Sequence, residues 1–222
     1  MERALTLYRE SEKENNIALV LGNLAIVYAR KEELDKAQAM FEESLVVQRK
    51  VGDRQGSART LDNLAKLATV QKEDTAAQKY AEESLTLRRE IGDHRGTFVS
   101  LQTLAKIALR RDELEVVKQC CRESLDAWRG SESLPALTDW LYGIASLCIA
   151  QNDAQGAATL MVAADTLKEH IGLLPTPDAV EQQEKEWAEV QAALSPEAFE
   201  AACKRGKSLS YDEAIVLALE KL

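Results

Sequence analysis

The side chains that most often carry chemistry are few in this 222-residue sequence, and their spacing suits no site. Neither His94 nor His170 has another histidine or a cysteine at the spacing of a metal site, so we expect both to be solvated. Cys120 and Cys121 are adjacent, and Cys121 falls on the predicted buried stripe of a helix, where a thiol acts as a small inert hydrophobe. We therefore expect no metal site and no reactive thiol here.

A second candidate is the segment Gly206-Lys207-Ser208, which resembles the end of a phosphate-binding loop. Ala201 stands where such a loop needs its earlier glycine, and no strand precedes it. The neighbouring Lys204, Arg205 and Lys207 lie near a predicted helix C-terminus, where cations interact favourably with the helix dipole. Carboxylates are numerous but cannot be told from a solvated helix face. The sequence predicts no enzyme and no cofactor.

Composition and charge narrow the function classes further. The chain is 45% hydrophobic and 5% aromatic, its first residues show no signal-peptide pattern, and its longest apolar run is about half of a membrane span. The four cysteines include no Cys-x-x-Cys and suit a reducing compartment, so we expect thiols and a cytoplasmic location with no membrane partner. The net charge of −9 lies entirely in residues 131–222, and an acidic chain is a poor direct partner for nucleic acid.

The elements that position these residues repeat every 40 residues. Leucines at one repeat position, followed by apolar and alanine positions three and four residues later, mark the buried stripe of a first helix. Further apolar and small residues mark a second helix. Each repeat is therefore predicted to be a helix pair, and the positions that show it are Leu21, Leu61, Leu101 and Leu141 for the first helix and Ala37, Ala77, Val117 and Ala157 for the second.

Two turns with the same residues occur 40 residues apart. Gly52-Asp53 and Gly92-Asp93 stand at the same repeat position. A glycine just past a helix end takes the left-handed cap conformation, and the following aspartate can cap the next helix. The turns thus predict where one helix pair ends and the next begins.

The first repeat carries Asn23-Leu24-Ala25, Tyr28, Ala37 and Phe41, and Asn63-Leu64-Ala65 renews part of this pattern. These residues resemble the tetratricopeptide repeat. The resemblance implies an all-α fold, an α-solenoid of antiparallel helix pairs, here with a 40-residue period. It also implies a concave groove, lined by the first helices, that binds a protein or peptide.

A narrower resemblance rests on Glu82 to Leu85, Leu87 to Glu90, Ala157 to Leu167, and the closing segment from Ser195 to Ala214. These segments are similar to the C-terminal repeat arms of bacterial MalT-like and LuxR-family signalling ATPases. The resemblance implies the sensor or regulatory arm of a bacterial signalling protein or transcription regulator. Arg129 to Ser133 departs from the pattern, so the third junction is expected to bend differently.

The two ends of the array are expected to differ. Residues 1–172 are predicted to form a half repeat plus four repeats, because Met1 and Leu5 align with second-helix positions. Residues 173–222 are predicted to form an acidic C-terminal helical cap on the array, with helices at roughly 178–193, 196–205 and 211–221. Ser195 and the Ser210–Glu213 capping box should begin the last two helices.

The groove positions of the family, carried onto this register, select eleven residues. Five are cations and two are acids, so an acidic peptide or a carboxylate is the expected ligand. The pattern that clamps a C-terminal carboxylate in chaperone-binding relatives is matched by Asn63 alone. The predicted groove residues are Asn23, Arg30, Arg59, Asp62, Asn63, Lys66, Gln102, Lys106, Arg110, Asp139 and Tyr142.

Two other functions remain open at this point. A free-standing adaptor would dimerise through the N-terminal half repeat. A receptor would bind a small anionic ligand in the groove. The remaining alternative is that the groove residues are solvated and bind no ligand.

Overall fold

A computed structural model describes residues 14–130, 133–174 and 177–222. Every regular element within these ranges is an α-helix, and helices joined by short turns pack as pairs, Glu14–Arg30 with Leu34–Val51, Arg54–Val70 with Asp74–Glu90 and Leu134–Ala150 with Ala154–Ile171. The predicted all-α, helix-pair repeat fold is confirmed. The helices are α1 Glu14–Arg30, α2 Leu34–Val51, α3 Arg54–Val70, α4 Asp74–Glu90, α5 His94–Arg110, α6 Leu114–Arg129, α7 Leu134–Ala150, α8 Ala154–Ile171, α9 Pro177–Ala193, α10 Pro196–Ser208 and α11 Tyr211–Leu219.

The described residues divide into two compact units, one up to Ile107 and one from Ala108 onward. We call α1, α3, α5 and α7 first helices, and α2, α4, α6 and α8 second helices. In the unit up to Ile107, the predicted stripe residues form the core, where small alanines let the helices approach closely. That core contains Ala25, Ala37, Phe41, Leu45, Leu61, Leu64 and Leu67.

The turns after α2, α4 and α8 use glycine, as the sequence predicts. Gly52, Gly92 and Gly172 have φ angles of 74°, 68° and 64°. After the first two, Asp53 and Asp93 each accept a hydrogen bond through Oδ1 from a backbone N–H of the next helix, at 2.8 Å. These caps satisfy amides that a helix start leaves without a partner.

The turns inside the helix pairs were not predicted. Glu32, Lys72, Asp112 and Asn152 recur at the 40-residue period and have φ angles between 58° and 62°. The left-handed conformation costs an L-residue about 1 kcal/mol, and asparagine tolerates it best. Glutamate and lysine carry no signal for this conformation, so the sequence pattern did not reveal these turns.

Helix α8 lies at the centre of the second unit. Its residues 156–164 are all buried, and α7, α9, α10 and α11 contact it. Gly206 of α10 allows a close approach to α8, because a Cβ atom there would lie 2.5 Å from the Thr159 carbonyl oxygen and 2.7 Å from Val162 Cβ. The glycine of the loop-like Gly206–Ser208 segment therefore serves helix packing.

The three helices predicted after Gly172 are present, with α10 extending to Ser208 and α11 ending at Leu219. Ser195 accepts a hydrogen bond from the Ala198 N–H, and Ser210 with Glu213 forms the predicted capping box. None of the described helices is long and apolar enough to cross a membrane.

Two predictions lie partly or wholly outside the described residues. The half repeat that begins at Met1 and includes Leu5 is one of them. At the third junction, Gly130 has a φ of −74°, so it lacks the left-handed cap of Gly52 and Gly92, and residues 131–132 lie outside the description. The division into an array at 1–172 and a cap at 173–222 stays a prediction.

Candidate peptide-binding surface

Each first helix of the first unit presents one stripe of side chains away from the core. The stripe residues are spaced four, three and four apart, which places them on one helix face. The predicted residues Arg30, Arg59, Lys66 and Lys106 are exposed, as are Asn23 and Arg110, and Asn63 is half-buried. The stripes are Leu19, Asn23, Ile26 and Arg30 on α1, Arg59, Asn63, Lys66 and Val70 on α3, and Val99, Thr103 and Lys106 on the part of α5 that belongs to this unit.

Charge on α3 and α5 is almost entirely positive. Asp62 is the sole carboxylate of these two helices, while their arginines and lysines are exposed. Arg54 lies at the start of α3, 3.4 Å from Glu90 of α4. Exposed cations on helices that carry no exposed acid of their own create a local positive potential. The exposed cations are Arg54, Arg59 and Lys66 on α3 and Arg95, Lys106 and Arg110 on α5.

The predicted groove residue Asp62 lies inside the unit, with 4% of its surface exposed. Its Oδ2 atom accepts hydrogen bonds from Arg88 of α4, at 3.1 Å from Nε and 2.5 Å from Nη2. Its Oδ1 atom accepts one from the Ser100 hydroxyl at 2.9 Å. Arg88 also pairs with Asp93, the cap of α5. Asp62 thus ties α3 to α4 and α5 and does not oppose the exposed cations.

Tyr142 of α7 is placed in the same way in the second unit. It is 8% exposed, its hydroxyl donates to Asp165 Oδ1 at 2.7 Å, and Lys168 Nζ lies 4.0 Å from its ring centroid. Burial raises the pKa of Tyr142, and the hydrogen bond to Asp165 raises it further. Tyr142 and Lys168 lie 80 residues, or two repeats, after Asp62 and Arg88. The two pairs therefore occupy equivalent positions of the 40-residue period.

Of the remaining predicted groove residues, one is buried and one is exposed. Gln102 of α5 is buried, with 8% of its surface exposed. Asp139 is exposed and is the only charged residue of α7. The described surface of α7 therefore lacks the cations of α3 and α5.

Three of the four cysteines are buried, and both histidines are exposed. Burial raises the pKa values of Cys121 and Cys148 to about 12, and none of the four cysteines forms a disulfide. His94 begins α5 and is exposed, and exposed His170 has Nδ1 3.3 Å from the Thr166 carbonyl oxygen. Among the described residues, no group of three or more His, Cys, Asp or Glu side chains is arranged to hold a metal.

The comparison with protein families agrees with the helix-pair repeats. Residues 16–90 match the tetratricopeptide repeat family, which covers α1 to α4. No curated protein matches the sequence. Repeats of this family generally mediate protein–protein interactions, which supports a non-catalytic binding module.

Proposed function

Because the chain carries tetratricopeptide repeats at residues 16–90, we propose that its first unit binds an acidic segment of a partner protein. The surface is the cationic face, defined as Arg59 and Lys66 of α3 and Lys106 of α5. One observation carries the proposal: the only carboxylate of α3 and α5 is buried against Arg88, so these cations have no acid of their own helices beside them at the surface.

The geometry of the cationic face suits an extended acidic segment. Arg59 and Lys66 are seven residues apart on α3, which is about 10 Å along the helix. An extended peptide advances about 3.3 Å per residue, so side chains three residues apart match the separation of the two cations. Charge-assisted hydrogen bonds to carboxylates fix orientation, and the half-buried Asn63 amide between them offers both a donor and an acceptor.

A labelled peptide with glutamate at every third position and glycine elsewhere, about ten residues long, tests this proposal by fluorescence anisotropy. Lys66→Glu should weaken binding about tenfold at low salt, and Lys79→Glu is the matched control because Lys79 is exposed on the second helix α4. Raising the salt concentration should weaken binding to the wild type. Equal affinities for the wild type and Lys66→Glu, or no binding of the peptide at all, would contradict the proposal.

The same assay separates a small anionic ligand from a peptide. Free glutamate and acetate should compete with the labelled peptide only weakly, since each offers a single carboxylate to a face with several cations. Complete displacement by either anion at micromolar concentration would favour the receptor function predicted as an alternative.

We propose further that this unit belongs to the sensor or regulatory arm of a bacterial, cytoplasmic signalling protein or transcription regulator. The support is the resemblance of the repeats and of the closing segment, whose capped helices α10 and α11 begin at the predicted residues. Sequencing the DNA upstream of the Met1 codon tests it. A frame that continues to a phosphate-binding loop would agree, and a stop codon with a ribosome-binding site would favour the adaptor instead.

The adaptor alternative predicts a homodimer through the N-terminal half repeat. Light scattering over a concentration series measures this directly. A mass that stays at that of one chain would exclude the dimer over that range.

A further inference from the structure

The exposed stripe changes chemistry from one first helix to the next. Position 19 of α1 corresponds to position 59 of α3, and position 26 to position 66, in the 40-residue period. The pairs are Leu19 with Arg59 and Ile26 with Lys66. Leu19 is 54% exposed and Ile26 is 37% exposed, so both are accessible apolar side chains where the neighbouring helix has cations.

The two helices contribute side chains to one interior. Ala25 of α1 and Leu61 and Leu64 of α3 share a single core cluster, so α1 and α3 pack on the same interior. An extended segment of about ten residues spans about 33 Å, which exceeds the combined diameter of two helices with their side chains, about 20–24 Å. A segment that lies across both stripes therefore meets an apolar patch and a cationic patch in sequence.

We infer that the partner segment is amphipathic along its length, with apolar side chains that cover Leu19 and Ile26 and acidic side chains that meet Arg59, Lys66 and Lys106. This inference rests on the proposed acidic-peptide function and adds the apolar half of the partner. Removing the exposed leucine and isoleucine side chains from water lowers the free energy of the complex. A purely acidic segment would leave both side chains exposed. At the other end of the segment, acidic side chains are held by the opposite charges of the cationic face.

Two labelled peptides of about ten residues test this inference by fluorescence anisotropy. The first joins a block with two leucines to a block of glutamates, and the second replaces both leucines with serine. The leucine peptide should bind the wild type about tenfold more tightly than the serine peptide, the gain expected from burying parts of two apolar side chains. Both block orders are measured, because the direction of the bound segment is not fixed by the stripes.

Substitutions on α1 test whether this helix causes the tighter binding of the leucine peptide. Leu19→Ser with Ile26→Ser should remove the advantage of the leucine peptide and leave the affinity for the serine peptide unchanged. Val46→Ser is the control, because Val46 is a 64% exposed apolar residue on the second helix α2 and should change neither affinity. Circular dichroism melts check that each variant stays folded.

The outcomes distinguish the inference from the proposed function. If Lys66→Glu weakens both peptides but the α1 double variant changes neither, the acidic-peptide function stands and the apolar half is wrong. If Val46→Ser is as harmful as the double variant, the apolar contact is non-specific and the inference fails. If Lys66→Glu changes neither peptide, the proposed function fails with it.

Discussion

Arg88 and Asp62 form a buried ion pair between α4 and α3, with Nη2 2.5 Å from Oδ2. Their side chains are 10% and 5% exposed, so neither charge is solvated. Ser100 and Asp93 complete the network and connect it to α5. The equivalent residues of the first repeat are Gln48 and Gly22, which carry no charge.

Removing one partner of this pair should be costly. Arg88→Gln leaves the Asp62 carboxylate buried with only the Ser100 hydroxyl, and we expect a loss of about 3 kcal/mol in the free energy of unfolding. Asp62→Ala combined with Arg88→Gln should recover part of that loss, because no unpaired buried charge remains. Urea denaturation followed by circular dichroism measures both. A double variant as unstable as the sum of the two single variants would show that the charges are not coupled.

Gly206 should not accept a larger side chain. Gly206→Ala places a methyl group against the Thr159 carbonyl oxygen and Val162, and one helix must shift, at a cost of about 2 kcal/mol. Gly22→Ala is the control, because the nearest atom to its added Cβ is Ser44 Oγ at 3.7 Å. That control should keep or slightly raise stability, since alanine favours helix over glycine. Thermal unfolding compares the two, and equal melting temperatures would contradict the close approach.

The turn at Lys72 should be improvable. Lys72→Asn keeps the left-handed conformation with a residue that tolerates it, and we expect a gain of about 0.5 kcal/mol. The reverse change, Asn152→Lys, should lose a similar amount at the equivalent turn. Chemical denaturation of both variants measures the two changes. Shifts of the same sign would show that another interaction controls these positions.

The Asp153–Lys221 pair predicts a dependence on acidic pH. Burial would raise the pKa of Asp153, but hydrogen bonds from Lys221 and the Gly156 N–H outweigh it and hold the pKa below its usual value of 3.8. When the pKa of a carboxyl group is lower in the folded than in the unfolded state, its charge stabilises the fold at pH values above the unfolded-state pKa. That stabilisation is lost as pH falls through the folded-state pKa. The pair is partly exposed, so we expect at most about 1 kcal/mol.

Asp153→Asn isolates this effect because asparagine can still cap α8. The wild type should be more stable than Asp153→Asn at pH 7, and the difference should shrink as pH falls below 4. The pKa of Lys221 is raised above 10.5, chiefly by its hydrogen bond to Asp153, so its part of the stability is lost only at alkaline pH above that value. A pH-independent difference in urea midpoints would contradict the ion pair.

Periodicity was sufficient to predict the helix pairs. Buried positions such as Leu21, Ala65 and Phe41 repeat in the sequence, and glycine with aspartate at 52–53 and 92–93 has a distinct conformational reason to occur. Hydrophobic spacing and cap chemistry are local signals. They need no knowledge of what lies across the core.

The candidate surface was harder to predict for the opposite reason. Asp62 and Tyr142 are polar residues on first helices, and only contacts with Arg88 and Lys168, 26 residues later in both pairs, show that they are buried. A polar side chain with a buried polar partner has the same sequence signal as a solvated one. The apolar character of Leu19 and Ile26 was likewise visible, but their exposure was not.

The burial of residues 156–164 on every side limits how this chain can be shortened. A truncation after Gly172 would follow the end of the 40-residue period, yet it would remove α9, α10 and α11 and leave Thr159 and Val162 without the covering contact of Gly206. A helix that is apolar all round and newly open to water promotes aggregation. For recombinant expression, the natural stopping point of the repeat is therefore the wrong place to end the gene.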